Sequence, residues 1–556
     1  MFHVEHFFKI YEMRNGDYSI KGMLVDVVDK RVFAAEVFIG GGSVLRIEER
    51  NEVFENYIMP GFVDAHVHIE SSMLVPQEFA RLAVTHGTVA TVSDPHEIAN
   101  VLGVKGINFM VENAKNVPLK FNFGVPSCVP ATGFETSGSV LDSNDVDKLL
   151  KRGELKYLSE MMNFPGVVFG DREVWLKLAA AKKYHKPVDG HAPGLKGSEL
   201  KKYANAGIST DHESVSVEEA VEKIKLGIKL QIREGSAAKN FDALWPVIDM
   251  YPDDVMLCTD DCHPDDLEEK HINDVVKRAV ANGSDLFNVL RAVSFNSIKH
   301  YDLNVGMLQL GDPADFIVVK DLKNFEVLAT YIDGEKVYSN HKVLFDVPSF
   351  DSINNFNIDY INKEDVALKL TGAKQKVMLA KDGDLYTAMK LIEMKSHNGF
   401  IESDTDIDVL KIVVVNRYEQ TKAVVGLIKN FGLKHGAIAG SVAHDSHNII
   451  AVGVSDEDIY KAINLVIKEK GGMVAKKGEE EYVLALPVAG LMSDKPGTEV
   501  AKMYQQMNKV AKEWGSTLHA PFMTLSFMAL LVIPELKIGD KGLFDGKKFE
   551  LTSLSE

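Results

Sequence analysis

Cysteine is scarce in this chain. Its 556 residues include three, Cys128, Cys258 and Cys262, an odd and sparse set that excludes a disulfide framework and points to a reducing compartment. No two have CxxC spacing, so a thiolate zinc centre is not indicated. Positive charge is also short: 62 Lys+Arg against 80 Asp+Glu leave a net charge of −18. A chain this acidic repels phosphate backbones, and no local basic patch offsets the total, so nucleic acid is excluded as an expected partner. Long apolar runs are missing. The longest, residues 522–533, is interrupted by Thr524 and Ser526 and stopped by Pro534, short of the roughly 20 residues of a membrane span. The first residues lack the basic region, apolar core and small-residue cleavage site of a secretory signal. These absences predict a cytoplasmic protein with no membrane partner.

What is present is the balance of a folded protein, 46% hydrophobic and 26% charged residues. At roughly 150 residues per domain, two to four domains are expected. Residues 1–58 carry short β-prone runs (18–28, 31–39, 43–48) punctuated by Asn15-Gly16 and Gly40-Gly41-Gly42, which are hairpin signals. From Pro60 to about His300 short apolar strands alternate with helical patterns. A second α+β pattern starts near residue 346, after which the Asp/Asn-rich stretch 350–359 serves as a linker.

The middle region predicts eight strands, at 62–65, 89–93, 121–126, 155–160, 187–190, 207–211, 229–233 and 255–259. Helical patterns lie between them, one opened by a Ser216-x-x-Glu219 capping box. Eight βα units in about 240 residues match a (β/α)8 barrel of the TIM type. A doubly wound sheet would want a Gly-rich phosphate turn after its first strand; His66-Val67-His68 stands there instead. Barrel enzymes carry their reactive groups at the C-terminal ends of strands. Those positions hold His66 and His68, Glu160, His191, His212 and Asp260. Residues two apart on a strand face the same side, so His66 and His68 can chelate together. Four histidines and two carboxylates exceed one tetrahedral ion and suit two divalent ions sharing a hydroxide, with one carboxylate spanning both.

Residues 60–68 (PGFVDAHVH) resemble the opening motif of the amidohydrolase superfamily. Longer strings are similar to its adenine deaminase family: His68-Ile69-Glu70-Ser71-Ser72-Met73, Asp94-Pro95-His96-Glu97, Glu160-Met161-Met162-Asn163, Thr210-Asp211-His212-Glu213, Arg233-Glu234-Gly235-Ser236 and, beyond the barrel, His444-Asp445-Ser446-His447. The resemblance covers almost the whole chain. It implies a binuclear centre, manganese foremost with iron or zinc as alternatives, and matches His66, His68, His191 and His212 to the histidine ligands and Asp260 to the eighth-strand aspartate. The bridging ligand is either a carboxylated lysine or a glutamate; Lys156 and Glu160 share a strand face, and Glu160, at the mouth end, is chosen.

The resemblance also implies a small β-sandwich domain closed from both flanks of the barrel. The expected architecture is therefore 1–58 with 301–345 as that composite domain, 59–300 as the barrel, and 346–556 as a C-terminal α+β domain. The implied activity is hydrolytic deamination of free adenine to hypoxanthine and ammonia by a metal-bridged hydroxide, in purine salvage, by a homo-oligomer, expected as a dimer. Asp260 is the expected acid/base, with Glu97 or Glu213 protonating a ring nitrogen, or each orienting a ligand histidine. His96, Arg233, Glu234 and Ser236 are expected at the substrate. Asp261 is expected to point the opposite way from Asp260, and His444 and His447 to play a structural or turn role in preference to capping the site. The alternatives are another amidohydrolase acting on a cyclic amide or aminated heterocycle, and an inactive metal-binding scaffold.

Overall fold

The computed structural model describes residues 16–236 and 238–556. The reading of the segment before Asp17, with Asn15 as half of a turn and the missing secretory signal, lies outside the described residues except at Gly16. The three early runs form Tyr18–Asp26, Arg31–Gly40 and Ser43–Glu49. Gly41 and Gly42, at φ +58° and +81°, make the tight turn between the last two, a backbone that side-chain-bearing residues resist. These strands, with Tyr57–Pro60, share one eight-stranded sheet with four strands from far along the chain: Phe316–Val319, Val327–Ile332, Glu335–Ser339 and Lys342–Val343. The seam is Tyr57–Pro60 against Phe316–Val319, antiparallel. Leu24, Val37, Ile58, Phe316 and Tyr331 form a core that spans it.

Eight parallel strands follow: Phe62–Val67, Thr88–Ser93, Lys120–Phe123, Leu158–Met161, Val188–Gly190, Thr210–Asp211, Lys229–Arg233 and Val255–Cys258. Three form one sheet and five another, and the sheets meet at both ends. Val125 bridges Leu158 in parallel, with Val125 N–H donating to Tyr157 O and Ser159 N–H to Val125 O. Val67 bridges Asp260 in parallel, with Asp260 N–H donating to His66 O. Asp64 reinforces this seam by accepting from the Thr259 backbone N–H and hydroxyl. Each predicted strand is present, mostly with shifted bounds. Ser216 caps the helix Val217–Lys225 by accepting from Glu219 N–H, whereas the Glu219 carboxylate pairs with Lys223.

The remainder builds a second eight-stranded sheet in the order Ala388–Ile392, Gln375–Leu379, Val424–Lys429, Val409–Val415, Ile449–Gly453, Ala437–Gly440, Gly472–Lys477, Glu480–Ala485. Alternation along Val409–Val415 decides what it joins. Val413 and Val415 pack under the helix Asp456–Lys468 with Ile459, Ile463 and Val466. Leu410, Ile412 and Val414 face the other way, into the core that contains the parallel strands. That shared core presses the C-terminal region onto the ends of the parallel strands. The helix Pro521–Phe527 and the turns after it, the apolar run of residues 522–533, are buried there apart from the partly buried Val532. Among the described residues no helix is long and apolar enough to cross a membrane.

Candidate active site

All six strand-end groups meet in one place. His68 Nε2 lies 3.2 Å from Asp260 Oδ1 and 3.3 Å from Glu160 Oε1. His66 Nε2 is 3.5 Å from Asp260 Oδ1. Glu160 Oε2 is 2.8 Å from His191 Nδ1 and 3.3 Å from His212 Nε2, and the His66 and His212 rings stack with centroids 4.2 Å apart. All but His191 are almost completely buried. Burial alone would raise the Glu160 carboxyl; His191, His212 and His68 outweigh it and hold it well below the usual carboxylate range. Asp260 is likewise held ionised against burial, chiefly by Arg233. Burial and the His212 ring lower the pKa of His66, leaving a neutral imidazole with a lone pair to give.

Their hydrogen bonding leaves nitrogen atoms over. Both ring nitrogens of His66, and Nδ1 of His212, are buried with no hydrogen-bond partner among the described residues, although buried polar groups are almost always paired. His68 Nδ1 donates to Asp94 O, which fixes the tautomer and turns the Nε2 lone pair toward the carboxylates. Two ligands at about 2.05 Å on a tetrahedral ion are about 3.3 Å apart, close to several of the separations found here. The donor set, the burial and the unpartnered nitrogens fit divalent cations. His66 with His212 and Asp260, and Glu160 with His191 and His212, are each close enough to share an ion, as is His68 with Asp94, His96 and Glu160.

The cavity above these groups is lined by His68, His96, Glu97, Glu160, His191, His212, Glu213, Arg233, Asp260 and Asp261, and is roofed by Leu385, Phe527, Leu530, Val532 and Ile533. Of the expected substrate contacts, His96 and Arg233 reach it. Arg233 is engaged there: Nη1 donates to Glu213 Oε1 at 2.6 Å and Asp260 Oδ2 at 2.7 Å, and Nη2 to Glu213 Oε2 at 3.0 Å. His96 Nδ1 lies 3.2 Å from Asp94 Oδ2. Glu234 and Ser236 are not brought to the cavity. Glu234 pairs with Arg278, and Ser236 Oγ donates to Asp266 Oδ2.

Two further groups differ from expectation. Asp261 lines the same cavity as Asp260, because Asp260 adopts a left-handed backbone, φ +58°, that breaks the alternation of an extended strand. His444 and His447 bond the two oxygens of Glu97, His444 Nδ1 at 2.6 Å from Oε1 and His447 Nε2 on Oε2. No local sequence signal joins these histidines to a glutamate some 350 residues away; only the topology does.

Residues 57–337 match the model of the amidohydrolase family, and residues 384–550 that of the adenine deaminase C-terminal domain. An adenine deaminase from Methanosarcina barkeri is 55% identical over 96% of this chain and 99% of its own. One from Sulfurovum is 54% identical over 96% of this chain and 98% of its own. Among solved structures, the N-acetylglucosamine-6-phosphate deacetylase of Thermotoga maritima aligns at 14% identity with a TM-score of 0.44, over 58% of this chain and 100% of that one. On the extent and identity of these matches, the chain belongs to the adenine deaminase family of amidohydrolases.

Proposed function

We propose that this protein hydrolyses adenine to hypoxanthine and ammonia, and that its parallel strands form one (β/α)8 barrel over residues 59–300. The barrel reading is supported by the backbone hydrogen bonds that join the two parallel sheets at both ends. Around it, the described part of the 1–58 segment, from residue 16, makes with 301–345 a composite β-sandwich, and residues 346–556 an α+β domain that closes the mouth. The observation that carries the function is the set of six strand-end donors, five of them buried and His191 partly so, with imidazole nitrogens that nothing among the described residues satisfies. His66, His68, His191, His212, Glu160 and Asp260 would hold two divalent ions, manganese foremost, with iron or zinc as alternatives. Ions held there supply the nucleophile, by lowering the pKa of water from 15.7 toward about 7.

The chain's own residues do the rest. The apolar roof of Leu385, Phe527, Leu530, Val532 and Ile533 suits a flat purine and excludes bulk water. Asp260, ionised and fixed by Arg233, accepts the proton released as oxygen adds to C6 and delivers it to the departing amino group. His96 and Arg233 border the substrate, Arg233 through the carboxylates it orients. The scarcity of cysteine supports a reducing, cytoplasmic setting, and the absence of a basic patch fits a free base with no phosphate. Metal-loaded protein offered adenine, adenosine, cytosine and dihydroorotate should release ammonia from adenine. Turnover of another of these compounds alone would instead favour a different amidohydrolase, and inertness with bound metal a scaffold.

A further inference from the structure

Resting on that reading, we propose that His444, carried to the cavity by the C-terminal domain, donates the proton to the purine ring nitrogen beside C6, and that Glu97 and His447 serve to hold it there. Addition of oxygen to C6 pushes an electron pair onto that nitrogen, so a donor must stand at the cavity wall. Of the three glutamates that border the cavity, Glu160 belongs to the strand-end donor set, and the other two are both engaged. Glu213 accepts from Arg233 with both oxygens. Glu97 accepts from His444 with Oε1 and from His447 with Oε2. The tautomer of His447 follows from its neighbours: Ala443 N–H donates to Nδ1 at 3.3 Å, so Nε2 carries the hydrogen and donates to Glu97 Oε2. Glu97 is therefore an anion with both oxygens occupied, Oε1 also lying 3.5 Å from His96 Nε2; His96 has its other nitrogen on Asp94, so the imidazole with a nitrogen left for the mobile proton is His444.

His444 is built for the role. Its Nδ1–H bonds Glu97 Oε1 at 2.6 Å, which fixes the ring and leaves Nε2 without a bonded partner among the described residues. The ring lines the cavity that Asp260 and Glu213 also border and lies nearly parallel to Phe527, with centroids 4.8 Å apart and planes at 17°. Burial works against a charge on His444, but the Glu97 carboxylate outweighs it and raises the pKa to about 9. Burial takes His447 down to about 4, in keeping with a neutral donor. Protons balance through the cycle. As water oxygen bonds C6, one water proton goes to Asp260, and His444 Nε2 gives its proton to the ring nitrogen. The C6–N bond then breaks, the amine leaves as ammonia with the proton from Asp260, and the remaining hydroxyl proton of the adduct returns to His444 as the C6 carbonyl forms.

The test uses full-length, metal-loaded protein with adenine. His444→Asn should lower kcat about 100- to 1,000-fold with KM within about threefold and metal content unchanged, and free imidazole should restore turnover to His444→Gly. Glu97→Gln should also lower kcat, but adding it to His444→Asn should cost less than about threefold more, because the pair acts as one unit. His447→Gln, which keeps a donor toward Glu97, should lose about tenfold or less. The proposal is overturned if His444→Asn keeps a third or more of wild-type kcat, if the Glu97 and His444 losses multiply, or if His444→Gln and His447→Gln each remove a third bound metal ion. Should His444→Asn fail to fold, His444→Gln and the imidazole rescue decide. Wild-type protein silent on adenine overturns both this assignment and the deaminase reading; an active wild type with an equally active His444→Asn overturns this assignment alone.

Discussion

Glu160 and Glu97 border one cavity, and each is surrounded by imidazoles, yet their bonding differs. Around Glu160 the donors outnumber their protein partners: both nitrogens of His66 and Nδ1 of His212 have none. Around Glu97 both carboxylate oxygens and both His447 nitrogens are engaged, and His444 Nε2 is left over. An unpartnered buried polar atom costs about 1–3 kcal/mol, so the first cluster is complete only with an electrophile from outside the chain. The second has one proton to move. Similar residue types thus form two clusters, and although Glu97, His444 and His447 also lie close enough to share an ion, the proposal assigns cations to the first and a mobile proton to the second.

The largest effect should come from the Glu160 side. Asp260→Asn should cut kcat by about 1,000-fold or more while keeping the bound metal, measured as ammonia release beside elemental analysis; normal activity would remove Asp260 from the chemistry. Next, stripping divalent ions should lower the melting temperature, since an ion at about 1,000 times its Kd contributes about 4 kcal/mol. Glu97→Gln should leave that metal-dependent shift intact, and a shift lost in Glu97→Gln would erase the distinction between the two clusters. Arg233→Met should lower kcat/KM by about 10- to 150-fold, through the loss of a charged hydrogen bond of about 1.5–3 kcal/mol to Asp260, with Glu213 freed as well.

The smallest expected effect lies behind the roof. Lys537 is buried and donates to the carbonyls of Leu385 and Phe527, two cavity residues. Burial lowers its pKa from 10.5 to about 7. Between pH 7 and 10.5 the unfolded chain holds a proton that the fold does not, so stability rises with pH across that window, by at most about 1.4 kcal/mol per unit. Lys537→Met should flatten this slope in denaturant melts at successive pH values; an unchanged slope would place the titration elsewhere.

Much of the Glu160 cluster is legible in the sequence because it obeys local rules. Period-two alternation puts His66 and His68 on one side, and the ends of the fourth, fifth, sixth and eighth parallel strands each supply one further donor. The reading fails where the strand rule ends. Asp260 turns left-handed, and Asp261 stays at the cavity. The seventh strand stops at Arg233, so Glu234 and Ser236 turn away to Arg278 and Asp266. The Glu97 cluster and the apolar roof are illegible for a different reason. They join residues far apart in the chain, brought together by the shared core under Val409–Val415 and by contacts such as Gly497 N–H to Glu78 and Thr136 N–H to Asp540.

Metal-free protein titrated with manganese, with ammonia release from adenine followed at each step, tests the central claim most directly. Activity should be absent at the start, rise with added metal, and saturate at two ions per chain, with no third ion bound at Glu97. Deamination by the metal-free protein, or two bound ions without turnover of adenine, would contradict it.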